Sequence, residues 1–68
     1  MQEDRLTERE KQVLVLLAQD LTAKQIGQQL GITSKTVELH KQAMKKKVNV
    51  NGTAGLVRYA IRTGMIEP

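Results

Sequence analysis

Residues 22–48 read TAKQIGQQLGITSKTVELHKQAMKKKV, and the spacing of three residues inside this stretch decides the architecture. Gly27 is followed after three residues by Gly31 and, after five more, by Val37. The pattern suits two helices that cross at roughly 90–120° around a turn of three to four residues. The residue at the crossing must be small, and Gly27 is. The turn needs a residue that tolerates a left-handed backbone, and Gly31 does. A branched apolar side chain must then lock the second helix into the angle, and Val37 can. Ile26, Leu30 and Ile32 supply apolar surface around it. Gly27 costs a helix about 1 kcal/mol relative to alanine, so a packing reason for it is expected. An ordinary helix hairpin is the alternative that the triplet alone leaves open.

Reading outward, helix caps divide the rest of the chain. Thr7 with Glu10, and Thr22 with Gln25, have the spacing of capping boxes. Val13, Leu14, Leu16, Leu17 and Leu21 recur at helical intervals after the first box. Ile26 and Leu30 point inward after the second, and Gly31 sits where a C-terminal glycine belongs. Thr33 is an N-cap for a third helix with no breaker before Asn49. Its inner stripe is Val37, His40, Met44 and Val48; Lys35, Glu38, Leu39, Gln42, Lys45 and Lys46 lie largely on the other side. A fourth helix starts near Asn51, carries Ala54, Val57, Ala60 and Ile61, and stops at Gly64, with Met65 and Ile66 folding back as an apolar lid. No segment alternates long enough to be a strand. The expectation is an all-α, four-helix domain with helices at about 7–19, 23–30, 34–47 and 52–63. Residues 1–68 form one domain, of which 1–5 are expected to be flexible.

Composition excludes several classes. The 68 residues include no cysteine and one histidine, so neither a disulfide framework nor a cysteine or histidine-rich metal site is expected. No apolar run reaches the length of a membrane span, and the polar start MQEDRLTERE is not a secretory signal. The expected location is the cytoplasm. No nucleophile–base pair, phosphate-cradling loop or ligand cluster is visible, so no catalytic residue, metal or cofactor is assigned and an enzyme is not expected.

The net charge of +4 is unevenly placed. Residues 1–20 hold Arg5, Arg9 and Lys11 against Glu3, Asp4, Glu8, Glu10 and Asp20, a balance of −2. Residues 33–48 hold Lys35, Lys41, Lys45, Lys46 and Lys47 against Glu38, a balance of +4. Basic charge focused on one helix suits a surface facing a polyanion. A solvated helix face is the plainer reading of a lysine cluster taken alone.

LTEREKQVLVLLAQDLTAKQIGQQLGITSKTVELHKQAMKKKVNV, from Leu6 to Val50, resembles the LuxR/FixJ/NarL family of C-terminal effector domains, with its LT-x-RE, VL-x-LLA, T-x-K-x-I, LGI-[ST], TV-x-x-H and K-x-V motifs. The tail LVRYAIRTGMI is similar to the family's fourth helix, so the likeness runs to Ile66. It implies a LuxR-type helix-turn-helix with a scaffold helix, a recognition helix and a fourth helix for dimerisation. It further implies a transcription regulator, or the output domain of a two-component response regulator, joined to a receiver or sensor domain absent from this chain, with double-stranded DNA, a second copy and RNA polymerase as partners. Four positions depart from the pattern. Asp20 and Asn49 stand where glycine is common, Gly27 replaces alanine, and Glu38 replaces a frequent lysine.

Residue roles follow from the stripe and the resemblance together. Glu38, Leu39 and Gln42 lie on the exposed side and match the family's base-facing positions. Gln42 can bond an adenine edge, Glu38 can accept from cytosine N4, and Leu39 can touch a thymine methyl. Glu38 can instead pair with Lys41 or Gln42 along the helix. Phosphate contacts are expected from Lys24, Thr33, Ser34, Lys35, Thr36, His40, Lys41, Lys45 and Lys46, since free amides at a helix start attract anions. Lys47 is read as simply solvated. The dimer face is expected to draw on Leu56, Val57, Tyr59, Ala60 and Thr63, because not all can fit inside so small a core. Two other readings stand beside this one. One is region 4 of a sigma factor, which the LVRYAIRTGMI helix argues against. The other is a protein-interaction module on the same scaffold, in which neutralising Lys35 and Lys45 leaves partner binding intact.

Overall fold

The computed structural model describes residues 5–67 and contains four helices: α1 (Glu8–Ala18), α2 (Ala23–Leu30), α3 (Ser34–Val48) and α4 (Thr53–Arg62). No strand occurs among the described residues. The sequence expectation of an all-α, four-helix domain holds. Flexibility was expected for residues 1–5, but residues 1–4 lie outside the described range. Arg5 lies inside it, and its Nη1 donates to the Lys47 carbonyl at 2.9 Å.

Threonine side chains start three of the helices. Thr7 accepts from the Glu10 amide while Glu10 Oε1 accepts from the Thr7 amide at 2.9 Å, closing a capping box. Thr22 and Gln25 do the same for α2. Thr33 Oγ1 accepts from the Thr36 amide at 3.1 Å. Each cap satisfies a donor that the first turn leaves free, worth about 1 kcal/mol. α4 departs from expectation. Its N-cap is Gly52, not Asn51, and no side-chain cap bond forms there.

All four helices stop in one way, with a residue in the left-handed region and the next amide reaching back five residues. The left-handed residues are Asp20 (φ 68°), Gly31 (74°), Asn49 (60°) and Gly64 (83°). The return bonds run from Leu21 to Leu16, Ile32 to Gly27, Val50 to Lys45 and Met65 to Ala60. The two positions where glycine was found missing from the family pattern, Asp20 and Asn49, are thus the two non-glycine residues at positive φ.

The core joins Leu6 to Val13, Leu14, Leu16 and Leu17 of α1, Ile26 of α2, Val37 and Met44 of α3, and Leu56 and Ala60 of α4. Leu14, Ile26, Val37, Met44 and Leu56 are completely shielded from solvent, and burial of such a side chain contributes about 1.5–3 kcal/mol. Met65 and Ile66 pack against this cluster, as the lid reading expects. α3 touches the other three helices, and α1 touches α2 and α4, whereas α2 and α4 do not meet. The recognition-type helix is therefore held on several sides by elements that leave one face open.

Candidate nucleic-acid interface

The turn between α2 and α3 is only Gly31, Ile32 and Thr33. It is short because the turn lies directly against α2. A Cβ on Gly27 would sit 2.5 Å from the Ile32 carbonyl oxygen, 3.2 Å from the Thr33 carbonyl carbon and 3.3 Å from the Ser34 amide nitrogen. Those atoms are all backbone, so no side chain can swing away. Gly27 thus fixes how closely the start of α3 approaches α2. Gly31, left-handed with open space around it, lets the chain turn back at once.

α3 divides by burial. Val37 and Met44 face the core, and Val48 packs at its edge. His40 is half-buried, between the stripe and the surface. Glu38, Leu39 and Gln42 are exposed, and Leu39, 58% exposed, is the most exposed large apolar side chain among the described residues. Ser34 and Lys35 are exposed at the start of the helix, whose first turn contains no acidic residue. Thr33 and Thr36 Oγ1 lie 3.0 Å apart, so these hydroxyls serve each other as well as the cap. Lys24 is exposed in the first turn of α2, which also lacks acidic residues. Two helix starts therefore present free amides and an adjacent lysine without a competing carboxylate, an arrangement that favours an anion.

The lysines of α3 are not equivalent. Lys35 and Lys46 are exposed, Lys45 is half-exposed, and none of the three has a carboxylate within reach among the described residues. Lys41 Nζ lies 3.6 Å from Glu38 Oε1, and its side chain is only 20% exposed. Lys47, expected to be solvated, is not: its Nζ donates to Glu10 Oε1 at 2.8 Å. Glu10 is almost fully buried. Burial by itself pushes the Glu10 carboxyl up. The Lys47 ammonium and the amide and hydroxyl of Thr7 outweigh it and hold the group below its ordinary value. Arg5 and Lys47 together therefore tie the end of α3 to the start of α1.

On α4 the structure corrects the sequence assignment. Leu56 and Ala60 were placed on a dimer face, but both are fully buried in the core and offer nothing to a partner. Val57 and Tyr59 are half-buried. Thr63 is exposed, with its hydroxyl donating back to the Tyr59 carbonyl at 2.9 Å. The Arg62 guanidinium lies 5.6 Å from the centre of the Tyr59 ring, a cation–π contact that covers this edge. The outward stripe is instead Ala54, Val57, Arg58 and Ile61, with Ile61 36% exposed. The sequence missed this because both faces of α4 are apolar.

Comparison with known proteins agrees with the geometry. A sequence profile described as "Bacterial regulatory proteins, luxR family" matches residues 4–60. The transcriptional regulatory protein MctR of Rhizobium johnstonii is 44% identical over 64 residues, covering 94% of this chain and 30% of MctR. The spore germination protein GerE of Bacillus subtilis is 40% identical over 62 residues, covering 91% of this chain and 84% of GerE. The oxygen regulatory protein NreC of Staphylococcus carnosus is 34% identical, with 91% of this chain and 29% of NreC covered. A solved structure of the transcription factor GerE superimposes with a TM-score of 0.86 at 34% identity, over 91% of this chain and 92% of that one. The chain thus spans under a third of MctR and NreC but most of GerE.

Proposed function

The chain belongs to the luxR family of bacterial regulatory proteins, and from that premise we propose that it binds double-stranded DNA sequence-specifically and regulates transcription by laying α3 in the major groove. The observation that carries this reading is the open face of α3, where exposed Glu38, Leu39 and Gln42 are flanked by an acid-free helix start and by Lys45 and Lys46. Side chains of the first kind discriminate base edges, whereas cations and free amides hold the backbone. Gln42 pairs with an adenine edge, Leu39 packs on a thymine methyl and Glu38 accepts from cytosine. Lys24, Ser34, Lys35, Lys45 and Lys46 hold phosphates, with Thr33, Thr36 and half-buried His40 supporting the helix start and flank.

Two copies associate through the outward stripe of α4, Ala54, Val57, Arg58 and Ile61, with Tyr59 and Thr63 at its margin. Their recognition helices then enter successive major grooves about one helical turn apart. MctR and NreC extend far beyond the part this chain matches, and a receiver or sensor domain and RNA polymerase are the proposed further partners. No cofactor and no catalytic step belong to this function, which is exercised in the cytoplasm at the nucleoid.

Selection of bound duplexes from a random pool at two salt concentrations tests the proposal. The expected result is an enriched two-half-site sequence whose affinity falls steeply with salt. Gln42→Ala shifts base preference at one position per half-site. Absence of both enrichment and salt dependence overturns the reading and favours a protein-interaction role for the same scaffold.

A further inference from the structure

We propose that Lys41 is a positioning residue that selects the base read by Glu38, and not a phosphate ligand; the proposal rests on the reading in which α3 enters the major groove. Glu38 is the one acidic residue of α3, and it stands on the open face. An unaccompanied carboxylate entering the groove meets the phosphates' negative field on both sides. Lys41, one turn further along, answers this charge. Its Nζ lies 3.6 Å from Glu38 Oε1 and its side chain is four-fifths shielded, whereas Glu38 remains 55% exposed. The lysine is therefore laid along the helix beside the carboxylate, and Glu38 keeps surface free for a base.

The division of labour has chemical content. A carboxylate carries two oxygens that can accept from different directions. With Oε1 facing Lys41, Oε2 is left to accept from a donor. The major groove offers amino donors at cytosine N4 and adenine N6, but the adenine amino group stands beside the N7 acceptor, which repels the carboxylate, so cytosine N4 is the favoured partner. Guanine O6 and N7 and thymine O4 are acceptors and are repelled. The pair as a whole is neutral, so it reads a base without adding attraction to the backbone. Phosphate attraction from α3 then comes from Lys35, Lys45 and Lys46, none of which has a carboxylate within reach among the described residues.

The test uses the full chain and the duplex recovered by selection with the unmodified protein. Lys41→Met is compared with Lys45→Met, and each is measured against duplexes carrying all four bases at the position whose preference changes in Glu38→Gln. Lys41→Met should cut the cytosine preference about tenfold, the scale of one good base contact, and leave the slope of log affinity against log salt unchanged. Lys45→Met should keep the preference and lower the slope by ~0.9 for each half-site. Lys41→Arg, which retains a cation beside the carboxylate, should restore the preference, and Lys41→Met combined with Glu38→Gln should lose no more than Glu38→Gln alone. Circular dichroism confirms that each variant is folded. A fall in salt slope with cytosine preference intact in Lys41→Met overturns the proposal and makes Lys41 a phosphate ligand. An unchanged base profile in Glu38→Gln overturns it too, while leaving DNA binding in place. Failure of the unmodified chain to enrich any duplex overturns the underlying reading as well.

Discussion

Replacing Gly27 with alanine sets two calculable effects against each other. Helix propensity favours the change by about 1 kcal/mol, because glycine is costly inside α2. Geometry opposes it. The new Cβ would lie 2.5 Å from the Ile32 carbonyl oxygen, and the Thr33 carbonyl carbon and Ser34 nitrogen stand at 3.2 and 3.3 Å. Ordinary contact requires the turn to retreat by several tenths of an ångström. The turn is not free to do so, since the Ile32 amide donates to the Gly27 carbonyl at 2.9 Å and Thr33 caps α3. Overpacking against a fixed neighbour costs about 1–3 kcal/mol, so a net loss of about 1 kcal/mol is expected. In a domain this small that is a sizeable share of the total. With a urea slope of about 1 kcal/mol per molar, the midpoint should fall by about 1 M at constant slope. Duplex affinity should fall with it, since the displaced atoms begin the recognition helix. A midpoint that rises by the propensity gain would refute the reasoning and show that the approach of turn to helix places no demand on residue 27.

Other outcomes can be checked alongside. Asp20→Gly and Asn49→Gly should each raise thermal stability by about 0.5 kcal/mol, since glycine takes the left-handed conformation without the Cβ clash; a loss in either would mean that the native side chain contributes more than its backbone costs. Glu10 is held below its ordinary value of 4.5, so its stabilising contribution is complete above that pH and disappears as pH falls through the lower folded value. Glu10→Gln should therefore flatten the acid limb of a pH–stability curve and lose about 1–2 kcal/mol at pH 7, as expected for a broken charged hydrogen bond with one partner partly solvated. Ile61→Asp should abolish concentration-dependent dimerisation and weaken two-half-site binding while the melting midpoint of the monomer stays within about 0.5 kcal/mol. Loss of folding instead would place Ile61 in the core.

Much of the fold was legible because its signals are local. Thr7, Thr22 and Thr33 announce helix starts three residues before their partners, and Gly31 and Gly64 announce stops. Val13, Leu14, Ile26, Val37 and Met44 follow one periodicity. What was not legible depends on distance or on symmetry. Lys47 meets Glu10 across 37 positions, and nothing beside Lys47 distinguishes it from Lys46. Asp20 and Asn49 look like loop residues until their backbone angles are seen, although both had stood out as replacements for glycine. On α4, apolar residues occupy two faces, so periodicity could not say that Leu56 and Ala60 turn inward while Ile61 turns out. The exposed face of α3 was legible, because Glu38, Leu39 and Gln42 fall on the side away from the inner stripe of Val37, His40, Met44 and Val48. In the sequence, a pairing of Glu38 with Lys41 or Gln42 competes with base contact; Lys41 does lie 3.6 Å from Glu38, yet Glu38 stays 55% exposed.

The two attachments of α3 have a mechanical consequence. At its start the helix is pressed against α2 through Gly27, and at its end it is fastened by Lys47 and Arg5 to the beginning of α1. A beam clamped at both ends deflects far less than one clamped at a single end. α3 is therefore a stiff ruler, and under the proposed function differences between operators are absorbed by rotamers of Glu38, Leu39 and Gln42 or by bending of the DNA, not by tilting of the helix. Lys47→Met removes the bond to Glu10 and leaves only the Arg5 bond to the residue 47 carbonyl, so it loosens the far clamp, and the variant should tolerate a wider range of half-sites while holding each of them less tightly.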